Sequence, residues 1–329
     1  MSIDRRQLFQ WAAAACGAAA IPSRAFSQPL HYPSGPVRVV VPFTAGSTTD
    51  VISRIVGERL DKYLGQPFVV DNRPGAGGTL GATQVATAAG DGQTLLIHSA
   101  GHVANASLYP MLKYDTLRDF APVAMLASMP NVFVVSPQKG FASLQDLIAK
   151  VKKSPGKYSY GSSGSGSGAH IAGEKFRMAA GLDVLHVPYR GTPESVNDVI
   201  GGRLDWFLLP LALAVPLVKA GKLNALSIGA SKRSALLPDV PTTTECGIRD
   251  ADQLFWVGMF APAKTPQEVI TRLNTEAVKA LKSPETLSRF EKLGVDASPM
   301  PQPEFARFVK DEYVATGALI KQAGIRLDS

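Results

Sequence analysis

Cysteine is nearly missing from this chain: its 329 residues include only Cys16 and Cys246. Two thiols build neither a disulfide framework nor a cysteine zinc site. Histidine is sparse too, at His31, His98, His102, His170 and His186, with no His-Glu-x-x-His pattern. No metal and no cofactor is expected on that basis. No G-x-x-x-x-G-K-[ST] phosphate loop is present, and Gly75-Ala76-Gly77-Gly78 has Leu80 where a dinucleotide fingerprint needs glycine. Ser136-Pro137-Gln138-Lys139 fits S-x-x-K but lacks the S-D-N and K-T-G partners of a penicillin-recognising enzyme, and no G-x-S-x-G elbow occurs in the Ser/Gly run. Lysine and arginine form no cluster interleaved with aromatics, which sets nucleic acid aside as a partner.

What is present begins with a processing signal. Arg5-Arg6 opens a basic stretch, Leu8 to Ile21 is almost wholly apolar, and Arg24-Ala25-Phe26-Ser27 offers small residues for cleavage after Ser27. The apolar stretch is shorter than the ~20 residues a bilayer needs. The paired arginines fit a twin-arginine signal, and an ordinary secretory signal is the other reading. Either way, residues 1–27 are an export leader and the protein is expected in the periplasm. Loss of Arg5, Arg6, Arg24 and Asp4 leaves 31 basic against 26 acidic residues, a net of +5. That mild positive field suits small anionic ligands.

From Val37 onward, short apolar runs alternate with stretches of helical spacing. VRVVV (37–41) reads as a buried strand followed by a helix on Val51, Ile52, Ile55, Val56, Leu60 and Leu64. Strands at 68–71 and 95–99 flank a helix over about 79–89. A second set runs from 132–136 through helix 144–151, strand 157–160, helix 169–180, strand 184–189, helix 193–200, strand 204–208, helix 212–219 and strand 223–228. An apolar run (255–261) and three helices, each with proline in or near its first turn, complete the chain. This alternation predicts an α/β fold of two lobes, each a mostly parallel sheet flanked by helices. The first domain, discontinuous, would hold 28–130 plus 231–329, and 131–230 would be inserted as the second. The cleft between two such lobes is a usual place for a ligand.

Two Gly/Ser loops entering helices carry the strongest local chemistry. Phe43–Asp50 offers Ser47, Thr48 and Thr49 as caps and hydroxyl donors; Gly161–His170 offers Ser162, Ser163, Ser165 and Ser167. A helix N-terminus holds unpaired N–H groups and about half a positive charge, so it binds carboxylate without a basic side chain. One loop in each lobe would grip an anion at each end of a ligand. Tyr189-Arg190-Gly191-Thr192 sits at another strand-to-helix turn, and His102 is read as a donor lining the cleft. Trp206-Phe207 either floors the pocket or belongs to the core. Asp50 and Asp205 form no acid/base pair that the sequence can place.

Several long segments, in order, resemble the solute receptors of tripartite tricarboxylate transporters, the Bug-type periplasmic binding proteins. They are VPFTAGSTTD (41–50), VVDNRPGAGGTLGA (69–82), SLYPMLKYDTLRDFAPV (107–123), YGSSGSGSGAH (160–170), VPYRGTPES (187–195), LVKAGKLNALSI (217–228), KRSALLPDVPTTTE (232–245) and FAPAKTP (260–266). The resemblance implies a type II periplasmic-binding-protein fold that closes on a small carboxylate and hands it to a membrane permease. It implies ligand contacts at Phe43, Ala45, Gly46, Ser47 and Asp50 in the first loop. In the second it implies Ser162, Ser163, Gly164 and Ser165, with His170 nearby. Ser99, His102, Tyr189, Gly191, Thr192 and Asp205 would complete the wall.

Three departures from the family pattern stand out. Ser47 replaces a glycine, Ser165 stands where asparagine is common, and the stretch after Asp205 (WFLLPLALAV) is unusually apolar. Together they favour a dicarboxylate with an apolar middle, aliphatic or aromatic, over a plain amino acid. A monomer without catalytic residues is expected. The rivals are a secreted hydrolase with a serine nucleophile in 161–168 and a receptor that signals rather than feeds a permease.

Overall fold

Valines 37, 39, 40 and 41 present no polar face, and Val37–Val41 is a central strand, β1, buried except at Arg38. In the computed structural model, which describes residues 32–326, β1 pairs in parallel with β2 (Phe68–Asn72) and β3 (Thr94–Ser99). The leader read over residues 1–27 lies outside the described residues. β4 (Phe120–Met129), β10 (Phe255–Pro262) and β11 (Asp296–Ala297) complete a six-stranded sheet in the order β11-β4-β10-β3-β1-β2. A second sheet of five strands has the order β7-β6-β8-β5-β9. Its strands are β5 (Asn131–Val135), β6 (Ser159–Ser162), β7 (Leu185–Pro188), β8 (Trp206–Pro210) and β9 (Asn224–Ile228).

Most strands within each sheet point one way. β1 to β4 agree in direction and β10 and β11 oppose them; in the second sheet only β5 opposes the rest. The reversed strands β10 and β5 are those through which the chain enters one sheet from the other. Pro130 alone separates β4 from β5, and residues 229–254 make the return. The crossings run side by side: the Gly229 N–H donates to the Asn131 carbonyl at 2.8 Å, and Asn131 Nδ2 donates to the Gln253 carbonyl at 2.8 Å.

The helices follow from capping and spacing. α1 (Thr48–Leu64) starts on the Ser47 hydroxyl, buries Ile52, Ile55, Val56 and Leu60, and stops at Gly65 in the left-handed conformation. α2 (Thr79–Ala86) and α3 (Gly101–Leu108) follow β2 and β3; α4 (Leu144–Lys152) follows β5. α5 (Gly168–Ala180), α6 (Thr192–Ile200) and α7 (Leu211–Lys219) follow β6, β7 and β8. α8 (Gln267–Leu281), α9 (Pro284–Leu293) and α10 (Gln302–Ala323) end the chain. α10 is fastened to the first sheet by Trp256 Nε1, which donates to Glu312 Oε2 at 3.1 Å. Ile320 and Ile325 then reach Ile171 on α5, so the C-terminal segment touches both lobes. No helix of the described residues is long and apolar enough to cross a membrane.

Two readings change, and one alternative left open by the sequence is resolved. α3 and β4 occupy segments to which the sequence assigned no element. β8 begins and ends two residues later than the strand read at 204–208. Trp206 and Phe207 belong to the core, one on each side of the second sheet, with Trp206 stacked 5.6 Å from Phe133.

Candidate functional site

Parallel βα units place helix N-termini beyond the carboxyl ends of their strands. Here α1, α5, α6 and α7 begin around one small cavity. Its hydroxyl wall is the cap Ser47 with Thr48 and Thr49 of α1, Ser99 at the end of β3, Ser163 before α5 and Thr192 on α6. Its apolar wall is Phe43, Ala169, Pro210 and Phe255. The lobes are shut on it, leaving about 10 Å³, close to the room one water needs. No charged side chain lines it. The first N–H groups of each helix have no intrahelical partner, so the positive potential comes from backbone dipoles.

These dipoles are not equivalent. α6 carries Glu194 in its first turn, and that carboxylate also accepts a hydrogen bond from Thr44 Oγ1 at 3.1 Å across the lobes. α5 and α7 have no acid in the first turn. α1 has Asp50, but its carboxylate is turned into the loop and engaged there. It accepts from the Gly46 N–H at 2.9 Å, from Asn72 Nδ2 at 3.0 Å and from Arg54. Burial opposes ionisation of Asp50, yet the hydrogen bonds from Arg54, Gly46 and Asn72 outweigh it and hold the carboxyl below its usual range. Asn72 also donates to the Phe43 carbonyl at 3.0 Å, so Asp50 and Asn72 brace the whole loop. Asp50→Asn should cost about 2 kcal/mol in urea unfolding, the worth of its charged hydrogen bonds discounted for the half-exposed Arg54. A cost below about 0.5 kcal/mol would contradict the bracing role.

Thr48 supplies the clearest sign of an unmet partner. It is buried, lines the cavity, and its Oγ1 has no hydrogen-bond partner. A buried hydroxyl left unpaired is costly and rare.

Of the residues expected at the site, Phe43, Ser47, Ser99, Ser163 and Thr192 meet at this cavity. The others lie elsewhere. Ala45 and Gly46 are exposed at the loop tip, and Gly46 faces Pro193 of the opposite lobe. Ser162 is wholly buried; its Oγ accepts from the Gly164 N–H at 3.1 Å and bonds His186 Nε2 at 2.7 Å, which fastens the loop from behind. His170 sits in the same layer, stacked 4.0 Å from His186, with Nδ1 accepting from the Gly166 N–H at 3.0 Å. Gly164 and Ser165 face Gly77, and Gly191 faces Thr44, in contacts between the lobes rather than in the cavity. The Tyr189 hydroxyl donates to Asp198 on α6, away from the cavity.

Two expectations are corrected outright. His102 does not line the cleft: its ring is caged by Phe260 at 4.5 Å and Phe120 at 4.7 Å, and neither nitrogen has a hydrogen-bond partner. Asp205 immediately precedes β8, whose other end, Pro210, lines the cavity. A five-residue strand spans roughly 17 Å, which puts Asp205 at the wrong end of the sheet. There it pairs with Lys139 Nζ at 2.7 Å and accepts from the Ser159 N–H at 2.7 Å.

The contacts implied by the resemblance left out Thr48, Thr49, Ala169, Pro210 and Phe255, although Thr48 and Thr49 were read as hydroxyl donors of the first loop. The first two were legible as the helix positions after a serine cap. Pro210 and Phe255 become neighbours only because β8 and β10 are brought together by the double crossing. Among the described residues no His/Cys/Asp/Glu group could hold a metal ion.

The chain is similar in sequence and in fold to known proteins. Residues 52–325 match the family described as the tripartite tricarboxylate transporter family receptor. The structure of the periplasmic binding protein BugD superposes with a TM-score of 0.86 at 33% identity, covering 90% of this chain and 99% of that one. Rpa4515 of R. palustris, solved with adipate, gives a TM-score of 0.86 at 33% identity over 90% of this chain and 99% of its own. MatC of Rhodopseudomonas palustris, with bound malate, gives 0.84 at 33% identity over 88% and 100%.

Proposed function

This chain belongs to the tripartite tricarboxylate transporter receptor family, and from that premise we propose that it is a periplasmic receptor which closes on a small organic carboxylate and delivers it to the permease of such a transporter. The observation that carries the reading is the convergence of four helix N-termini on a cavity with six hydroxyl side chains, no charge of its own, and an unpartnered Thr48 hydroxyl. Such a site pairs with an anion through dipoles that need no rearrangement on binding. Adipate and malate in the two relatives are both dicarboxylates. The apolar wall of Phe43, Pro210 and Phe255 favours a diacid with an apolar middle, aliphatic or aromatic.

The lobes divide at the crossings, with residues 28–130 and 231–329 in one and 131–230 in the other. The receptor works as a monomer, exported with a leader cleaved near Ser27. It does not act as an enzyme: Ser162, whose hydroxyl bonds the His186 ring, is wholly buried and already accepts from the Gly164 N–H.

A thermal-shift screen of residues 28–329 against citrate, succinate, adipate, glutamate, benzoate, terephthalate and nicotinate tests this reading. At 100 times Kd a ligand stabilises the fold by about 2.7 kcal/mol. A shift with the diacids of apolar middle is expected, and silence across the panel would overturn the carboxylate reading. Thr48→Val, which puts a methyl in place of the hydroxyl, should weaken the best acid about ten-fold and leave the unliganded protein no less stable. An unchanged affinity would remove Thr48 from the site.

A further inference from the structure

Glycines also bring the two lobes together away from the cavity. Gly77, between β2 and α2, lies against the Ser165 carbonyl oxygen of the other lobe so closely that an added Cβ would overlap that oxygen. An added Cβ on Gly164 would in turn lie 3.2 Å from the Gly77 nitrogen. On α3, a Cβ on Gly101 would stand 2.8 Å from the Gly166 carbonyl oxygen and 3.1 Å from the Ser167 Cα. The lobes therefore meet backbone to backbone along a seam of glycines, which only residues without Cβ permit. Tyr109 bolts the seam: its hydroxyl donates to the Ser165 carbonyl at 2.8 Å, and its ring would lie 3.2 Å from a Cβ on Gly166. Neither Tyr109 nor any of these glycines lines the cavity.

We infer that Gly77, Gly101, Gly164, Gly166 and Tyr109 form a closure seam, a set of positioning residues that fixes how far the closed state is favoured and hence the affinity for every ligand alike. This rests on the reading of the protein as a closing receptor. A ligand can shift the lobes only by its differential affinity for the closed state. The seam adds a contact that exists in the closed state whichever ligand is held. It accordingly scales affinity without altering the preference among ligands, whereas a cavity residue alters both.

The experiment uses Gly77→Ala and Tyr109→Phe, with Gly65→Ala as control. Gly65 shares the strained backbone of Gly77 (φ +69° against +61°) and lies in the same lobe, but nothing stands within 4 Å of its added Cβ. Gly77→Asn is the second seam variant, because asparagine tolerates positive φ and still carries a Cβ. Nitroxide pairs at the exposed positions Asp91 and Lys157, with Cys246 replaced by alanine, read lobe separation by pulsed electron resonance. The unaltered protein and Gly65→Ala should share one closed-state distance. Both Gly77 variants should lack it, even with excess adipate, and bind adipate at least 30-fold more weakly. Tyr109→Phe should weaken adipate, succinate and terephthalate by a common factor of about three to ten. Closed distances in both Gly77 variants, or a Tyr109→Phe effect that differs among the acids, would overturn the seam. A seam-dependent distance in protein that no acid stabilises would leave the seam standing and refute the carboxylate reading.

Discussion

Thr48→Asp should abolish carboxylate binding while leaving the fold intact. Thr48 is the first residue of α1, lines the cavity and has an unpaired hydroxyl, so an aspartate there would set a fixed anion at the dipole meant for the ligand. Like charges 4 Å apart repel by about 4 kcal/mol at an effective dielectric of 20, which predicts more than 100-fold weaker binding. The same carboxylate gains about 0.3–1 kcal/mol at a helix N-terminus, which offsets part of the cost of burying it at this position, so the unliganded protein should be less stable yet still fold cooperatively. Calorimetric titration and urea unfolding of one preparation measure both. A variant binding within ten-fold of the unaltered protein would show that the α1 terminus does not receive the anion.

Mild acid should destabilise the protein steeply. Burial pushes His98 down to about 3, against a weaker opposing hydrogen bond at Ser99, and burial beside His98 holds His102 well below its ordinary value. Both stay neutral in the folded state yet take up protons when unfolded below about pH 6.5. Stability is therefore complete above that pH and is lost as pH falls toward the folded values. Two such groups give a slope of about 2.7 kcal/mol per pH unit at most. His186, lowered to about 3 by burial and by His170, works in the same direction. Unfolding by urea at pH 7, 6 and 5 reads the slope. In His98→Asn with His102→Phe the slope should fall by more than half, and the His102 change itself should cost little, since both its nitrogens are unpartnered. A flat profile between pH 6.5 and 5 in the unaltered protein would refute the caged-imidazole account.

The lobes were legible in the sequence because their elements carry local signals. Ser47, Ser143 and Ser167 cap helices, the VRVVV and NVFVV runs are strands buried on both faces, and Gly65 and Gly181 stop helices in the left-handed conformation. α3 escaped notice because burial along Gly101–Asn105 leaves no amphipathic stripe and no side chain caps it. β4 escaped because it is apolar without alternation and holds Pro122. The loops were read as anion-binding turns from their Gly/Ser content before helices, and Ser47, Ser163 and Thr192 do meet at one cavity. Asp205 was placed by the resemblance alone, and no local signal shows that the start of β8 lies at the end of the sheet opposite Pro210 and the cavity. His102 was misplaced because the Phe120 and Phe260 that cage it come from strands far along the chain. Spacing within a segment reveals a cap or a core face, whereas the partners that surround a side chain depend on the crossings.

The central claim is that charge on the ligand, met by helix N-termini, is what the closed cavity recognises. Calorimetric titration with adipate and with its diamide, equal in length and nearly equal in shape, tests that claim most directly. The account predicts binding of the diacid at one per chain and no measurable binding of the diamide. Equal affinity for the two compounds would contradict it.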